Sequence, residues 1–200
     1  MQELILKLRK KVKKALDKDR YEHTKGVMYT AGCLAMAHGG NVDDAMLAGL
    51  LHDCAKCIPA EEKLELCRKN KIKLTEIEKR NPYLIHAKLG AFLAKQEYGV
   101  EDPAILHAIE VHTTGAPAMT LLDKIVFLAD YIEPCRYKAE NLAEIRELAF
   151  RDLDRALLQT LSDTIRYLDR GSREIDPMTQ KTYDYYAAGS GNSPVLPASE

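Results

Sequence analysis

The stretch NVDDAMLAGLLHDCAK, residues 41–56, decides the fold class. Met46, Leu47, Leu50 and Leu51 recur at helical spacing, and Asn41 stands where a helix cap belongs. The stripe predicts a helix over about 42–53. It then runs directly into His52 and Asp53. A buried, unpartnered aspartate is costly, so Asp53 beside a core needs a strong partner. A metal ion, an arginine or a helix N-terminus would each serve.

Working outward, the periodicity stays helical and no alternating strand pattern emerges. A helix is expected over about 2–17, and another over 21–38 that stops at HGGN. IPAEEKLELCRKN starts a helix near 60–70 with its proline, and others are expected over 84–98 and from Pro103 to near HTTGAP. Thr120 caps LLDKIVFLADYIE. Asn141 is expected to open one long helix to about Asp169, ended by Gly171, and Asp176-Pro177 to start a last short one. The fold class is all-α: a single helical bundle of about eight to ten helices over residues 1–186. The stretch 187–200, small, polar and proline-containing, reads as a tail.

The 200 residues carry a formal net charge of −1, so no global electrostatic case exists for DNA, RNA or membrane partners. The basic N-terminal stretch KLRKKVKKALDKDR keeps Leu8, Val12 and Leu16 on one face, with lysines mostly opposite, as a solvated helix does. No apolar run approaches the ~18 residues of a membrane span, and the N-terminus lacks a signal core; the expected location is cytoplasmic. Five cysteines without framework spacing suit a reducing compartment. Cys54 and Cys57 form C-x-x-C, but with no second pair they read as small packed residues. The first helix and the one from Asn141 offer either a homodimer face or a cover for the core.

Several other polar residues share apolar faces. His23 lies with Val27, Ala31 and Leu34; His86 with Leu89 and Leu93; His112 with Ile105, Ala108 and Ile109; Asp130 with Val126 and Leu122. One inward histidine is ordinarily a satisfied core residue. Five helices each turning a histidine or aspartate inward point instead to a shared site, as in metal centres built inside bundles. Imidazole and carboxylate suit borderline first-row metals. His38 and His107 fit this pattern poorly and read as structural or surface residues.

The order His23, His52-Asp53, Asp130 resembles the H…HD…D signature of the HD-domain metal phosphohydrolases. RYEHTKGV, AGLLHDCAK, VHTTGAP and FLADYIEPCR together resemble the YqeK family, over roughly residues 4–186. That family hydrolyses diadenosine tetraphosphate symmetrically to two ADP. The resemblance implies that His23, His52, Asp53 and Asp130 hold the metal, iron in the family, with manganese, cobalt or zinc acceptable to the same donors. It implies phosphate contacts from Lys56, His86, His112, Thr113 and Arg136, and places the metal ligands His23, Asp53 and Asp130 against the substrate as well. Asp53, His86 and His112 are the expected catalytic residues, one histidine protonating or stabilising the leaving ADP. Tyr21, Tyr83 and Tyr131 are candidates for base stacking. The chain departs from the family where Ala116 follows HTTG, a place where many relatives carry a basic residue.

Other readings stay open here. His86 and His112 could ligate a second ion in a dinuclear phosphodiesterase. The substrate could be guanosine tetraphosphate or a deoxynucleotide. The chain could also be a non-catalytic module that senses ADP-like nucleotides.

Overall fold

The computed structural model describes residues 2–139 and 141–189. The described residues form eleven α-helices and no strand. They are α1 (Gln2–Ala15), α2 (Lys18–His38), α3 (Val42–Leu51), α4 (Ala60–Lys69), α5 (Glu76–Arg80), α6 (His86–Gln96), α7 (Pro103–Val111), α8 (Leu121–Ile132), α9 (Leu142–Ala149), α10 (Leu153–Arg170) and α11 (Pro177–Gly189). A 3₁₀ turn, Pro82–Ile85, leads into α6.

The expected caps explain many of the ends. The Asn41 side chain accepts from the backbone N–H groups of Asp43 and Asp44, opening α3. Thr120 and Asp123 form a reciprocal capping box at α8. Gly39 closes α2 in the left-handed conformation.

Three differences from the expected helices have local causes. The helix expected from Asn141 to Asp169 is two helices. Asp152 interrupts it, because its side chain accepts from the Arg155 N–H at 3.0 Å and starts α10 afresh. Asn141 itself sits at φ 59° and makes no side-chain cap. The short α5 was not expected, although Thr75 and Glu78 carry its capping box in plain view. With the divided helix, it takes the count past ten. The tail expected from 187 overlaps the end of α11, which runs to Gly189; residues 190–200 lie outside the described residues.

Two apolar clusters form the core. One gathers Leu8 and Val12 of α1 with Leu47, Leu50 and Leu51 of α3, Leu89 of α6 and Ile105 and Ile109 of α7. The other gathers Leu34 of α2 with Ile125 and Leu128 of α8, Ile145 of α9 and Leu157 and Leu161 of α10. The apolar faces of α1 and α10 are thus buried within the chain. Helix α2 serves both clusters, through Met28 on one side and Val27 and Ala31 on the other.

Helices α2 and α3 pack closely because Gly49 lets them. A Cβ there would stand 3.0 Å from the Cα of Met28 and 3.2 Å from the Val27 carbonyl oxygen. This approach brings the helix carrying His23 beside the helix that ends at His52.

Candidate metal and phosphate site

Three of the site histidines occupy the same kind of place. His52 follows the last residue of α3, His112 follows the last residue of α7, and His86 follows the 3₁₀ turn. Carbonyls at helix ends lack intrahelical partners. Each ring uses Nδ1–H to satisfy the carbonyl three residues back. His52 donates to Gly49 at 2.7 Å, His86 to Tyr83 at 2.5 Å and His112 to Ile109 at 2.7 Å. His23, inside α2, donates Nδ1–H to the Glu133 carboxylate at 3.0 Å. With Nδ1–H donating in all four, each ring turns Nε2 to the interior, the atom a metal ion would take.

The four rings stand in a row. Centroids are 5.4 Å apart for His23 and His52, 5.0 Å for His52 and His112, and 5.1 Å for His112 and His86. Asp53, 2 % exposed, faces the row. Its Oδ2 lies 3.4 Å from His52 Nε2 and 3.9 Å from His23 Nε2. Its Oδ1 lies 3.2 Å from His86 Nε2 and 3.7 Å from His112 Nε2. Asp130 Oδ1 is 3.0 Å from His23 Nε2 and 3.9 Å from His52 Nε2.

These acceptors face one another without donors. His23 Nε2, His52 Nε2 and Asp53 Oδ1 are buried and form no hydrogen bond. Leaving buried acceptors unsatisfied costs about 1–3 kcal/mol each. Converging lone pairs on imidazoles and carboxylates are what a cation requires. His23, His52 and Asp130 bring one ligand atom each within 4.8 Å of one another, and so do His52, Asp53 and His112. The residues therefore fit a metal ion. Burial opposes ionisation of Asp53, but in the metal-free chain a proton standing in for the cation on the facing imidazoles, His52 foremost, outweighs it and holds the carboxyl well below the usual range. Asp130 is held low in the same way, with His23 and Arg136 outweighing burial.

The other end of the row is different. Lys56 Nζ lies 3.0 Å from His86 Nε2 and 3.8 Å from Asp53 Oδ1. The Thr113 hydroxyl is 3.2 Å from Nε2 of both His86 and His112. Burial, with the Lys56 charge beside it, pushes His86 down to about 4 against the pull of Asp53, so its ring is neutral near pH 7. The turn that carries Lys56 is tied by its own N–H to the Asp53 carbonyl at 2.8 Å and by Lys63 Nζ to the Lys56 carbonyl at 3.0 Å. Lys56 and Thr113 thus bring donors into a small pocket, shared with His86 and His112, against Asp53.

All the expected site residues come together except in one respect. Arg136 donates Nη2 to Asp130 Oδ1 at 2.7 Å and Nε to the Asp130 carbonyl at 3.0 Å, so here it is a partner of a carboxylate. His38 bonds the Ala149 carbonyl and His107 the Asp123 carboxylate, each away from the site. Cys54 donates to the Gly90 carbonyl, burial pushes its thiol up to about 12, and Cys57 donates to Asp17. All five cysteines are unpaired.

Two residues escaped the sequence reading. Arg20 Nη1 donates to Asp53 Oδ2 at 2.9 Å. Glu133, 1 % exposed, receives His23. Both lie three residues from a site residue on a helix face, Arg20 before His23 and Glu133 after Asp130, and that spacing was the available signal. Gly26 admits Glu133: a Cβ there would fall within 2.3 Å of Glu133 Oε2.

A cleft of about 840 Å³ opens on the His23 side, lined by Arg20, His23, Tyr131, Arg136, Tyr137 and Lys138 among others. Another of about 440 Å³ opens beside Thr113 and Ala116. Ala116 packs against the second core cluster. Tyr21 is buried, while Tyr83 is half exposed. Among the described residues, no helix is long and apolar enough to cross a membrane.

The HD domain family matches residues 20–135. The symmetrical bis(5'-nucleosyl)-tetraphosphatase of Bacillus subtilis is 41% identical over 90% of this chain and 95% of its own length. That of Halalkalibacterium halodurans is 42% identical over 86% of this chain and 91% of its own. A crystal structure from Clostridium acetobutylicum, described as a "predicted HD superfamily hydrolase involved in NAD metabolism", superposes with a TM-score of 0.89 at 38% identity, covering 92% of this chain and 97% of that one. HD domains are metal-dependent, and the histidine–aspartate cluster of this chain supplies the matching donors. The chain therefore belongs to the HD domain family and, within it, to the symmetrical bis(5'-nucleosyl)-tetraphosphatases.

Proposed function

We propose that this chain hydrolyses diadenosine tetraphosphate at the middle of its bridge, giving two ADP, with His23, His52, Asp53 and Asp130 holding one metal ion. The supporting observation is the meeting of donorless acceptors with a cationic pocket across a single carboxylate, Asp53. When bound, the ion supplies positive charge that polarises a phosphoryl oxygen and makes water a stronger nucleophile. Iron is the ion the family resemblance implies; manganese, cobalt and zinc suit the same donors.

The chain's own residues do the rest. Lys56 and Thr113 point donors at the place where a phosphate would lie against Asp53. Neutral His86 accepts from Lys56 and aims its ammonium. That leaves His112, of the two histidines, to carry a proton to the departing ADP. Water adds its oxygen to phosphorus, the central P–O bond breaks, and the proton ends on the leaving phosphate oxygen. Local charge from Lys56, Arg20 and Arg136 answers the polyanionic bridge although the whole chain is near neutral. Unpaired cysteines suit a reducing compartment, and we assign the chain to the cytoplasm.

The test is ADP release from diadenosine tetraphosphate by purified protein loaded with ferrous iron, beside Asp53→Ala. Two ADP per substrate, lost in the variant, is the expected result. No turnover with metal still bound would overturn it and point to guanosine tetraphosphate, a deoxynucleotide or a sensing role.

The convergence of His52, Asp53 and His112 favours a second reading, a dinuclear centre. Against it, the Lys56 ammonium already stands 3.0 Å from His86, where a second cation would be repelled. Metal analysis separates the two: about one ion per chain supports the first and about two the second.

A further inference from the structure

The two oxygens of Asp53 divide the site. Oδ1 faces His86, His112 and Lys56; Oδ2 faces His52, His23 and Arg20. Each half therefore has its own cations. On the Oδ1 side it is Lys56, with the neutral Thr113 hydroxyl as a further donor. On the Oδ2 side they are Arg20 and Arg136.

Both arginines are only partly covered, with side chains 30% and 42% exposed, and both line the 840 Å³ cleft with Lys138. Arg20 uses only Nη1 on Asp53; among the described residues its Nε and Nη2 make no hydrogen bond to protein. A guanidinium offers five N–H donors in a planar fork that matches a phosphate. Most of the acidic groups around the cleft are already committed. Asp17 caps α2 at Arg20 N–H, Glu22 pairs with Lys25, and Glu133 takes His23 and the Cys135 N–H; Asp19 stands exposed at the rim.

We propose that Arg20, assisted by Arg136, binds the half of a polyphosphate bridge that lies across Asp53 from Lys56, so that one chain holds two diphosphate groups at once. This rests on the dinucleoside polyphosphate reading above. It adds a reason for cleavage at the centre. Each half is gripped by its own cations, and the bond between them is the one that lies over Asp53.

The experiment is a calorimetric titration of metal-loaded protein with ADP, which needs no turnover. Wild type is expected to bind two ADP per chain. Arg20→Gln is expected to keep one, Lys56→Gln to keep one, and the double variant none. Arg20→Lys, which keeps the charge on Asp53 but not the fork, is expected to bind the second ADP about tenfold more weakly. Metal content is measured on every variant; where Arg20→Gln loses metal, Arg20→Lys decides. One ADP per wild-type chain, or an Arg20→Lys site of unchanged affinity, would overturn the proposal. Turnover with one ADP site would sink this inference alone. Two sites without turnover would sink the hydrolase reading and leave Arg20 in place.

Discussion

His23 Nδ1 donates to Glu133 Oε1 at 3.0 Å, and both groups are buried. The bond fixes the tautomer of His23 and turns its Nε2 lone pair toward His52 and Asp130. A carboxylate behind a metal-binding imidazole also raises its basicity. Glu133→Gln keeps the shape and removes the charge. Metal affinity is expected to fall about 10- to 100-fold with little change in the melting temperature of the metal-free protein. Wild-type affinity in a competition titration would refute the role.

Gly26 provides an independent route to the same end. Alanine there drives a methyl group into Glu133 and displaces its carboxylate from His23. Gly26→Ala is expected to weaken metal binding much as Glu133→Gln does, and the double variant to be no worse than either alone. Additive losses would show that Gly26 acts through helix packing instead.

Lys56 meets both His86 and Asp53 Oδ1. Lys56→Met removes a charge aimed where negative charge grows in the transition state. A loss of about 100-fold or more in kcat/KM is expected, with metal content unchanged. An unchanged kcat/KM would remove Lys56 from the phosphate site.

Removing the metal leaves His23 Nε2, His52 Nε2 and Asp53 Oδ1 without partners. A chelator is therefore expected to lower the melting temperature. Refilling the site at a thousand times its dissociation constant should restore about 4 kcal/mol. Scanning calorimetry with and without chelator reads this directly, and coincident transitions would contradict the metal site.

Acid sensitivity of the metal-free protein has a specific window. Burial lowers His86 from 6.5 to about 4 in the folded chain. Above 6.5 neither state binds the proton. As pH falls below 6.5 the unfolded chain takes it up and the folded chain does not, so stability drains away until about pH 4. The loss is about 3 kcal/mol. Asp53 and Asp130, both held low, add further loss below their ordinary value of 3.8. His86→Gln is expected to flatten the slope between pH 6.5 and 4 in denaturant titrations. An unchanged slope would remove His86 from the account.

The sequence by itself determined the helices and the identity of most site groups. Periodicity at Met46, Leu47, Leu50 and Leu51, the Asn41 and Thr120 caps, and histidines on apolar faces are local signals, written within a turn or two of chain. It misjudged the stretch from Asn141, because nothing in helical periodicity shows that Asp152 will cap its own helix rather than continue one. Tertiary structure alone decided what long-range geometry decides. Arg20 is 33 residues from Asp53 and Glu133 is 110 from His23, so no local pattern could pair them. The division of Asp53 into two faces depends on where α2, α6, α7 and α8 bring their side chains once both apolar clusters close. A residue's chemistry is carried by its type, but its partner is chosen by packing.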